Sequence, residues 1–427
     1  MSQRTNMEEV AIRKLIRLVS VGARGESVDE LVWDWQEVIR IATEQNVETL
    51  VACALVNSPQ LVCPEPIREY LLDGMRTESA GNLIRKHRIL SLLSELKAAG
   101  IDARIIKGYA VARYYRYPDS RKSVDTDLLI SAEQEETCIQ FMRERGFRVD
   151  PRTSTSHHTV CQHPKLGMVE LHVSLYAELI RDVWFQNLED IVDAREPALA
   201  VMLEEGSFST LGHTDQLIFL TLHLVKHFIL GAVTLRMMLD IALYFACNRT
   251  EVDTERFWSV MEKLRYRKLV NCILWTMVKY GGFRTEDFPG ITVEMTELEQ
   301  RILDDMLEGG YLGCEEKEAR QESGMEYNRQ LQLKTKSQGQ YVWHMLRYKL
   351  RGSVKRMCLT GEQLKREYPV AEKFRISIPF VWMYHAAVYL VGKLRSGALQ
   401  RDIRSGSRTS AEMVEKRMEL FRMLDMI

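Results

Sequence analysis

Cys-x-x-Cys pairs are lacking in this chain, although its 427 residues include eight cysteines. The eight are scattered, at positions 53, 63, 138, 161, 247, 272, 314 and 358. Such spacing is typical of reduced thiols and speaks against a disulfide framework or a cysteine-based zinc site. An excess of charge is lacking too, since 58 basic residues stand against 59 acidic ones. The sequence therefore carries no strong signal for nucleic acid as the main partner.

The apolar runs are short. The C-terminal stretch Ile376 to Val391 falls below the roughly 20 residues that a membrane-spanning helix needs, and it contains His385. It is interpreted most simply as a buried helix. The alternative is that this stretch and the basic segment Arg347 to Arg356 make a weak contact with a membrane surface through the C-terminal helices. Residues 1–6 lead into a charged amphipathic helix without the apolar region of a secretory signal, so we expect a cytoplasmic protein.

Helical periodicity dominates both flanks of the chain. Apolar residues recur with a 3.6-residue period, which predicts helices over 6–22, 27–44, 47–57, 65–99, 253–281 and 295–307. The stretch 315–338 is polar without such a period, which favours a mobile linker. We therefore expect an N-terminal helical lobe (1–99), a mixed core (100–180), a helical domain (181–308), a flexible linker (309–340) and a C-terminal helical region (341–427).

Asp125 and Asp127 lie in an apolar run, Val124 to Ile130, that otherwise predicts a buried strand. On a strand, residues i and i+2 project from the same face, so the two carboxylates are expected side by side. Two like charges this close need either a shared proton or a cation, and Mg²⁺ is the usual cation for oxygen ligands. The alternative is structural, since aspartate pairs also end strands or meet arginines such as Arg121.

Neighbouring segments favour a phosphate site. A short strand candidate, Ile101 to Ile106, runs into Lys107-Gly108 and then a helix-like segment, Ala110 to Tyr115. A glycine turn between strand and helix lets backbone N–H groups approach an anion. Farther along, the strand candidate Met168 to Val173 places Glu170 opposite to its apolar neighbours, which would bring a third carboxylate to the same site.

In this order, Lys107-Gly108, Tyr117-Pro118, Arg121, Asp125-x-Asp127-Leu128-Leu129 and Glu170-Leu171-His172 resemble the uncharacterised nucleotidyltransferase family of the DNA polymerase β superfamily. The resemblance implies an α+β (mixed α/β) fold, a small polymerase-β-like core with a short mixed sheet, embedded here in a mostly α-helical chain. It also implies that Asp125, Asp127 and Glu170 bind Mg²⁺ or Mn²⁺, that a nucleoside triphosphate is the substrate, and that Glu170 helps to activate the acceptor.

The chain departs from the broader superfamily in its first loop. Most members have Gly-Ser there, whereas this chain has Lys107-Gly108-Tyr109, so the serine contact with a phosphate is missing or replaced. The sequence separation between Gly108 and Asp125 is 17 positions (125 − 108), which is longer than is common in the superfamily. Within this loop, Lys107, Gly108, Arg121 and Ser123 are the predicted nucleotide-binding residues. Lys107 would bind phosphate as a point charge and Arg121 as a bidentate fork, unless either is held in a salt bridge.

Histidines supply further candidates. His157 and His158 face opposite ways on a strand, so one of them should look toward the acidic face, unless both are ordinary edge-strand residues. His172 shares the face of Glu170 and is predicted to support the ligands from behind.

The helical pattern from Thr214 to Phe245 carries His223 and His227 on one face, with Lys226 beside them and Arg236 and Asp240 beyond. The resemblance implies that this series forms a wall over the nucleotide, contributed by His223, Lys226 and Arg236. Without the resemblance, buried core histidines are the simpler interpretation. A zinc site from the two histidines and Asp240 is conceivable, but the His-Glu-x-x-His order of zinc proteases is missing.

These observations predict a metal-dependent nucleotidyltransferase that moves a nucleotidyl group to the hydroxyl of a small molecule, a protein or an RNA. The absent loop serine leaves an alternative, a weakly active or inactive protein that keeps the fold for nucleotide binding or as a scaffold. A third hypothesis, a membrane-surface or RNA-interaction protein, depends on the basic C-terminal helices.

Overall fold

The structure is a computed structural model that describes residues 2–28, 34–150, 158–175, 196–292, 298–310, 317–335 and 408–427. His157 and most of the C-terminal region, including Ile376 to Val391 and the basic segment Arg347 to Arg356, lie outside these ranges. The predicted membrane contact therefore stays a prediction. None of the helices in the described ranges is both long and apolar enough to cross a membrane.

Four helices form the N-terminal part, close to the positions that the periodicity predicts. They are α1 (Ser2–Arg24), α2 (Trp35–Glu44), α3 (Glu48–Asn57) and α4 (Glu65–Ala98). The second begins later than expected because the Asp34 side chain accepts a hydrogen bond from the Glu37 N–H and so caps the helix there. Helix α3 is buried on most sides between α1 and α4, since Leu50, Val51 and Leu55 are almost fully covered.

A mixed sheet of seven strands forms the centre of the protein. The strands are β1 (Arg104–Ile105), β2 (Asp125–Leu129), β3 (Arg148–Asp150), β4 (His158–His163), β5 (Gly167–His172), β6 (Leu199–Leu203) and β7 (Gly206–Thr210). Their order is β3-β4-β5-β2-β1-β7-β6. The pairs β2–β5 and β1–β7 are parallel, and the other pairs are antiparallel. Together with the helices, this confirms the predicted α+β class.

The last two strands were not predicted. Residues 181–308 were expected to be a helical domain, but β6 and β7 lie within that range and complete the sheet through the pairing of β7 with β1. The core therefore does not end near residue 180. Val201 and Phe208 are buried in the same apolar cluster as the predicted strands, and this burial depends on a partner strand distant in sequence.

One face of the sheet is covered and apolar. Leu128, Val169, Leu171 and Cys161 point into a cluster with the C-terminal half of α4 and with helix α6 (Glu135–Glu144). Because side chains alternate along a strand, the intervening residues of β2, β4 and β5 face the other side. The opposite face therefore holds the charged side chains of the central strands.

A short helix, α5 (Tyr109–Ala112), follows β1, and the helical part of the chain follows β7. It contains α7 (His213–Leu230), α8 (Leu235–Cys247), α9 (Thr254–Lys263), α10 (Arg267–Gly281) and α11 (Leu298–Gly309). Helix α7 meets the charged face of the sheet, since Phe219 clusters with Ile106, Leu211 and the partly buried Leu129. The side chain of Gln216 also donates to the Ile106 carbonyl at 2.7 Å. These contacts set one face of α7 against the charged side of β2.

The predicted flexible linker is wrong for residues 317–335, which form helix α12 (Lys317–Thr335). The helix packs on α7 and on the C-terminal helix α13 (Arg408–Met423). Its sequence shows no apolar stripe because two of the residues it buries completely, Arg320 and Ser323, are polar, and each is 0% exposed. A buried, paired arginine is invisible to an apolar period.

Two buried arginines hold these C-terminal helices to the end of α7. Arg417 donates to Asp305 at 2.9 Å, to the Ile229 carbonyl at 3.3 Å and to the Phe228 carbonyl. Arg320 donates to the same carboxylate at 3.1 Å and to the Gly231 carbonyl at 3.0 Å. The last carbonyl groups of a helix have no partner within it and carry partial negative charge. The two cations thus compensate both Asp305 and the C-terminus of α7.

Replacing Arg417 by alanine should lower the free energy of unfolding by about 3 kcal/mol, because buried carbonyl groups and part of the Asp305 charge lose their partner. Urea denaturation followed by circular dichroism measures the effect. The control is Arg422→Ala on the exposed side of the same helix, which should change stability by no more than about 0.5 kcal/mol. Equal stability of the two variants would contradict the role given to Arg417.

Candidate active site

Three carboxylates converge on the charged face of the sheet. Asp127 on β2 lies directly opposite Glu170 on the parallel strand β5, and Asp125 is two residues before Asp127 on the same face. One oxygen from each of the three carboxylates lies within 4.8 Å of the others. Asp127 is 1% exposed, whereas Asp125 and Glu170 are partly exposed. The structure thus brings together the three residues predicted to bind metal.

Lys107 supplies the nearest positive charge. Its ammonium nitrogen lies 3.0 Å from either oxygen of Asp127 and 3.8 Å from Asp125. Burial would raise the pKa of Asp127, but Lys107 and His172 hold it well below its usual range. Burial would likewise lower the pKa of Lys107, and the carboxylates raise it instead. Both groups are therefore charged at neutral pH, and the salt bridge considered as an alternative for Lys107 is present.

Two histidines border the carboxylates. The Nε2 atom of His172 lies 3.1 Å from Asp127 and 3.5 Å from Glu170, and the Nε2 atom of His158 lies 3.6 Å from Glu170. Burial would lower the pKa of His172, but its hydrogen bonds to the two carboxylates raise it. The pKa of His158 is lowered, chiefly by burial. His158 thus faces the acidic side of the sheet.

The glycine turn has the predicted place but a smaller helix than expected. Gly108 adopts φ +56° and ψ −108°, a conformation that favours glycine, and a Cβ there would lie 3.7 Å from the Ser123 hydroxyl. Helix α5 has only four residues instead of the predicted segment 110–115, so few aligned peptide dipoles point at an anion. The Ser123 hydroxyl donates to the Asp125 carbonyl at 3.0 Å, which connects this turn to β2.

Arg121 does not offer a free fork to phosphate. Its Nε and Nη2 atoms donate to the two oxygens of Asp240 on α8, at 2.7 and 2.6 Å, and its side chain is 1% exposed. Tyr115 donates to the same carboxylate at 2.7 Å. Arg121 therefore joins the loop before β2 to the helical part of the protein. Asp240, 119 positions away, occupies the fork, so the salt bridge considered as an alternative for Arg121 is present and its phosphate-binding role stays a prediction.

Helix α7 presents a basic wall to the carboxylates. Burial lowers the pKa of Lys226, and the positive charge of Lys107 lowers it further. The carboxylates Glu170 and Asp127 act in the opposite direction, and these interactions bring Lys226 within range of the acidic face. Burial also lowers the pKa of His223 far below its usual value and that of His227 to about 3. Both imidazoles are therefore neutral at physiological pH. Arg236 on α8 lies near His227 and Asp240, whose pKa values its charge lowers.

The carboxylates fit a divalent cation. The Oδ2 atom of Asp127 is buried and accepts no hydrogen bond in the described part of the chain, although the Lys107 ammonium is near. A buried carboxylate oxygen is costly without a cation nearby, and a divalent ion can take the place that the Lys107 ammonium holds at 3.0 Å. Oxygen ligands from three carboxylates suit Mg²⁺ or Mn²⁺.

The profile of a protein family described as an uncharacterised nucleotidyltransferase matches residues 33–282. The chain belongs to this nucleotidyltransferase family. The matched region includes the three carboxylates, the glycine turn and the basic wall on α7. A search of curated proteins found no match.

Two solved structures are similar to this chain at low sequence identity. An antigenic nucleotidyltransferase-like protein from Paracoccidioides brasiliensis is 14% identical, with a TM-score of 0.29, over 44% of this chain and 92% of that one. A tRNA-processing enzyme in an apo form is 13% identical, with a TM-score of 0.21, over 84% of this chain and 99% of that one.

Two features of the candidate site are absent from the sequence-based prediction. The pairing of His158 with His172 across β4 and β5 depends on strand register, which the hairpin between them defines. The alternation of side chains could have suggested it, since His158 and Glu170 both face away from the apolar cluster. The pairing of Arg121 with Asp240 had no comparable signal.

The Arg121–Asp240 pair should make the free energy of unfolding depend on pH in the acidic range. Burial would raise the pKa of Asp240, but Arg121 lowers it, so its stabilising charge is present above the unfolded pKa of about 3.9 and is lost as pH falls toward the folded value. Asp240→Asn should cost about 3–5 kcal/mol at pH 7, because it leaves a buried arginine without its counter-ion. Urea denaturation at several pH values should show this difference shrinking below pH 4.

The matched control for this experiment is Asp253→Asn, which changes a helix-capping aspartate outside the pair. Its cost should be about 1 kcal/mol or less. A difference between wild type and Asp240→Asn that stays constant down to pH 2 would contradict the assignment.

Proposed function

We propose that this protein transfers a nucleotidyl group from a nucleoside triphosphate to an acceptor hydroxyl, with Mg²⁺ or Mn²⁺ bound by Asp125, Asp127 and Glu170. The observation that carries the proposal is the convergence of these three carboxylates, within 4.8 Å, on two adjacent parallel strands of a nucleotidyltransferase-family chain. The acceptor is a small molecule, a protein side chain or an RNA end.

The transfer has a simple balance of bonds. The acceptor oxygen forms a bond to the α-phosphorus, the bond from that phosphorus to the bridging oxygen breaks, and pyrophosphate leaves. Metal ions supply positive charge at the phosphate oxygens when they are bound. Burial would raise the pKa of Glu170, but His172 and His158 lower it, so Glu170 is ionised at neutral pH. Glu170 can therefore accept the proton of the acceptor hydroxyl.

Two lysines are the proposed phosphate ligands. Lys107 compensates Asp127 and Asp125, and it becomes available to phosphate oxygens when another cation takes over these carboxylates. Lys226 lies on the facing wall of α7, within range of the same charges. His223 and His227 are neutral and contribute hydrogen bonds instead of charge. Gly108 and Ser123 place the loop beside β2, and Arg236 adds a positive charge at the far end of the wall.

A specific observation also favours a second candidate, a nucleotide-binding or scaffold protein without transfer activity. The Lys107 ammonium already neutralises part of the carboxylate charge, at 3.0 Å from Asp127. The loop has Tyr109 where a serine would contact phosphate, and α5 is only four residues long. In this case the fold would retain the carboxylates for binding, and no label would move to an acceptor.

The proposal is tested by incubating the purified protein with cell extract, Mg²⁺ or Mn²⁺, and ATP, GTP, CTP or UTP. Each nucleotide carries its label in the nucleotidyl group, which is the part that is transferred. Transfer predicts that one class of molecule becomes labelled and that labelling requires the divalent metal. Nucleotide binding by equilibrium dialysis, without labelling under any condition, would favour the scaffold.

Asp125→Asn with Asp127→Asn should reduce metal-dependent transfer by at least about 100-fold, because the carboxylates that balance the metal charge are lost. The rate of label incorporation measures the effect. Asp102→Asn serves as the matched control, since this carboxylate is largely exposed before β1, with a side-chain exposure of 65%. Unchanged labelling in the double variant would exclude the proposed metal ligands.

Lys226→Gln should raise the KM for the nucleoside triphosphate by at least about 10-fold, because a charge-assisted hydrogen bond to phosphate contributes about 1.5–3 kcal/mol. Steady-state kinetics with each nucleotide measures KM and kcat separately. Lys263→Gln on the exposed side of α9 is the control and should leave both constants unchanged. A KM unaffected by Lys226→Gln would place the triphosphate away from the α7 wall.

A further inference from the structure

A second group of potential metal ligands lies beside the three carboxylates. His158 and His172 are directly opposite each other on the antiparallel strands β4 and β5, and Glu170 is two residues before His172 on the same face. Their ligand atoms lie within 4.8 Å of one another. This group differs chemically from the first one, because two of its three donors are imidazole nitrogens.

We propose that His158, Glu170 and His172 form a binding site for Zn²⁺. Mg²⁺ prefers oxygen ligands and near-octahedral geometry, whereas imidazole nitrogens suit zinc and related transition metals. Two histidines with one carboxylate are also a common protein ligand set for zinc that keeps one position open. The donor set thus selects a different metal from the one that suits Asp125 and Asp127.

The distances between the donor atoms agree with this metal. Zinc binds nitrogen and carboxylate oxygen at about 2.0–2.2 Å, so neighbouring ligands of a tetrahedral site lie about 3.4 Å apart. The Nε2 atoms of His158 and His172 lie 3.6 and 3.5 Å from the same oxygen of Glu170. Only small side-chain movements would be needed to complete these two edges of the tetrahedron.

The surroundings favour a stable but accessible site. The three residues lie on two hydrogen-bonded strands in the interior of a seven-stranded sheet, which limits their movement. The His158 side chain is 22% exposed and that of Glu170 is 16% exposed, so a metal can enter from this side and keep a water ligand. The same Nε2 atom of His172 lies 3.1 Å from Asp127, a contact that zinc would replace, and Lys107 compensates that carboxylate.

The two groups share Glu170, which has a consequence for the proposed function. Zinc on Glu170 and the histidines would withdraw that carboxylate from Mg²⁺ and from the acceptor hydroxyl, so zinc should inhibit transfer. This consequence rests on the proposed function, whereas zinc binding itself does not. The two are therefore tested separately.

Isothermal titration calorimetry of the full-length protein, freed of metal by chelation, tests zinc binding directly, and Co²⁺ absorption reports whether the site is tetrahedral. We expect one equivalent of zinc to bind even with excess Mg²⁺. His158→Gln and His172→Gln should each weaken binding by about 100-fold or more, since each removes one of the few ligands. His87→Gln, an exposed histidine on α4, is the matched control and should bind like wild type.

Circular dichroism of the metal-free variants shows whether each is folded, and His158→Gln is the decisive variant because His158 is less buried than His172. Asp125→Asn separates the sites, since it should impair transfer and retain zinc affinity within a few-fold. Zinc binding that is absent in wild type, or unchanged in folded His158→Gln, would overturn the proposal. So would binding that is lost in Asp125→Asn and kept in both histidine variants.

Discussion

Compensation of buried negative charge organises this protein. Asp127 is almost completely buried on a central strand, with Asp125 and Glu170 beside it on the same face. Carboxylates in such a place are tolerated only with cations or donors at hand. Lys107 at the end of β1 and His172 at the end of β5 supply them, at 3.0 and 3.1 Å from Asp127. The same negative charge that must be compensated for folding is the charge that suits a metal cation.

Two other buried charge clusters hold the parts that surround this face. Arg121 with Asp240 connects the loop before β2 to α8, and Arg417 with Arg320 and Asp305 connects the C-terminal helices to the end of α7. Both clusters include helices of the wall that faces the carboxylates. The position of Lys226 on α7 therefore depends in part on ion pairs that lie outside the site.

The carboxylate face combines two kinds of ligand, and this combination gives the site its chemical interest. Asp125 and Asp127 offer only oxygen, whereas His158 and His172 bring nitrogen close to Glu170. Glu170 belongs to both groups of potential ligands, so under the zinc proposal the metal that is present determines which group Glu170 joins. Both kinds of ligand lie within the matched residues 33–282, and the register of β4 against β5 sets His158 opposite His172.

Much of the candidate site could be predicted because it depends on local pattern. The period of two residues on a strand was enough to put Asp125 and Asp127 on one face, and an isolated carboxylate between apolar neighbours marked Glu170. The partner of Arg121 could not be predicted in this way. Its sequence context is a basic loop beside an acidic pair, but its partner is Asp240, and no local pattern encodes a contact between residues 119 positions apart.

The same distinction applies to the fold. The sequence by itself determined the helical N-terminal part, the central strands and the order of the acidic residues, because periodicity and short-range spacing specify these. Only the tertiary structure decided that β6 and β7 complete the sheet, that α12 is a packed helix and that His158 stands next to Glu170. Each of these depends on burial against a segment distant in the chain, and burial is a property of the folded molecule.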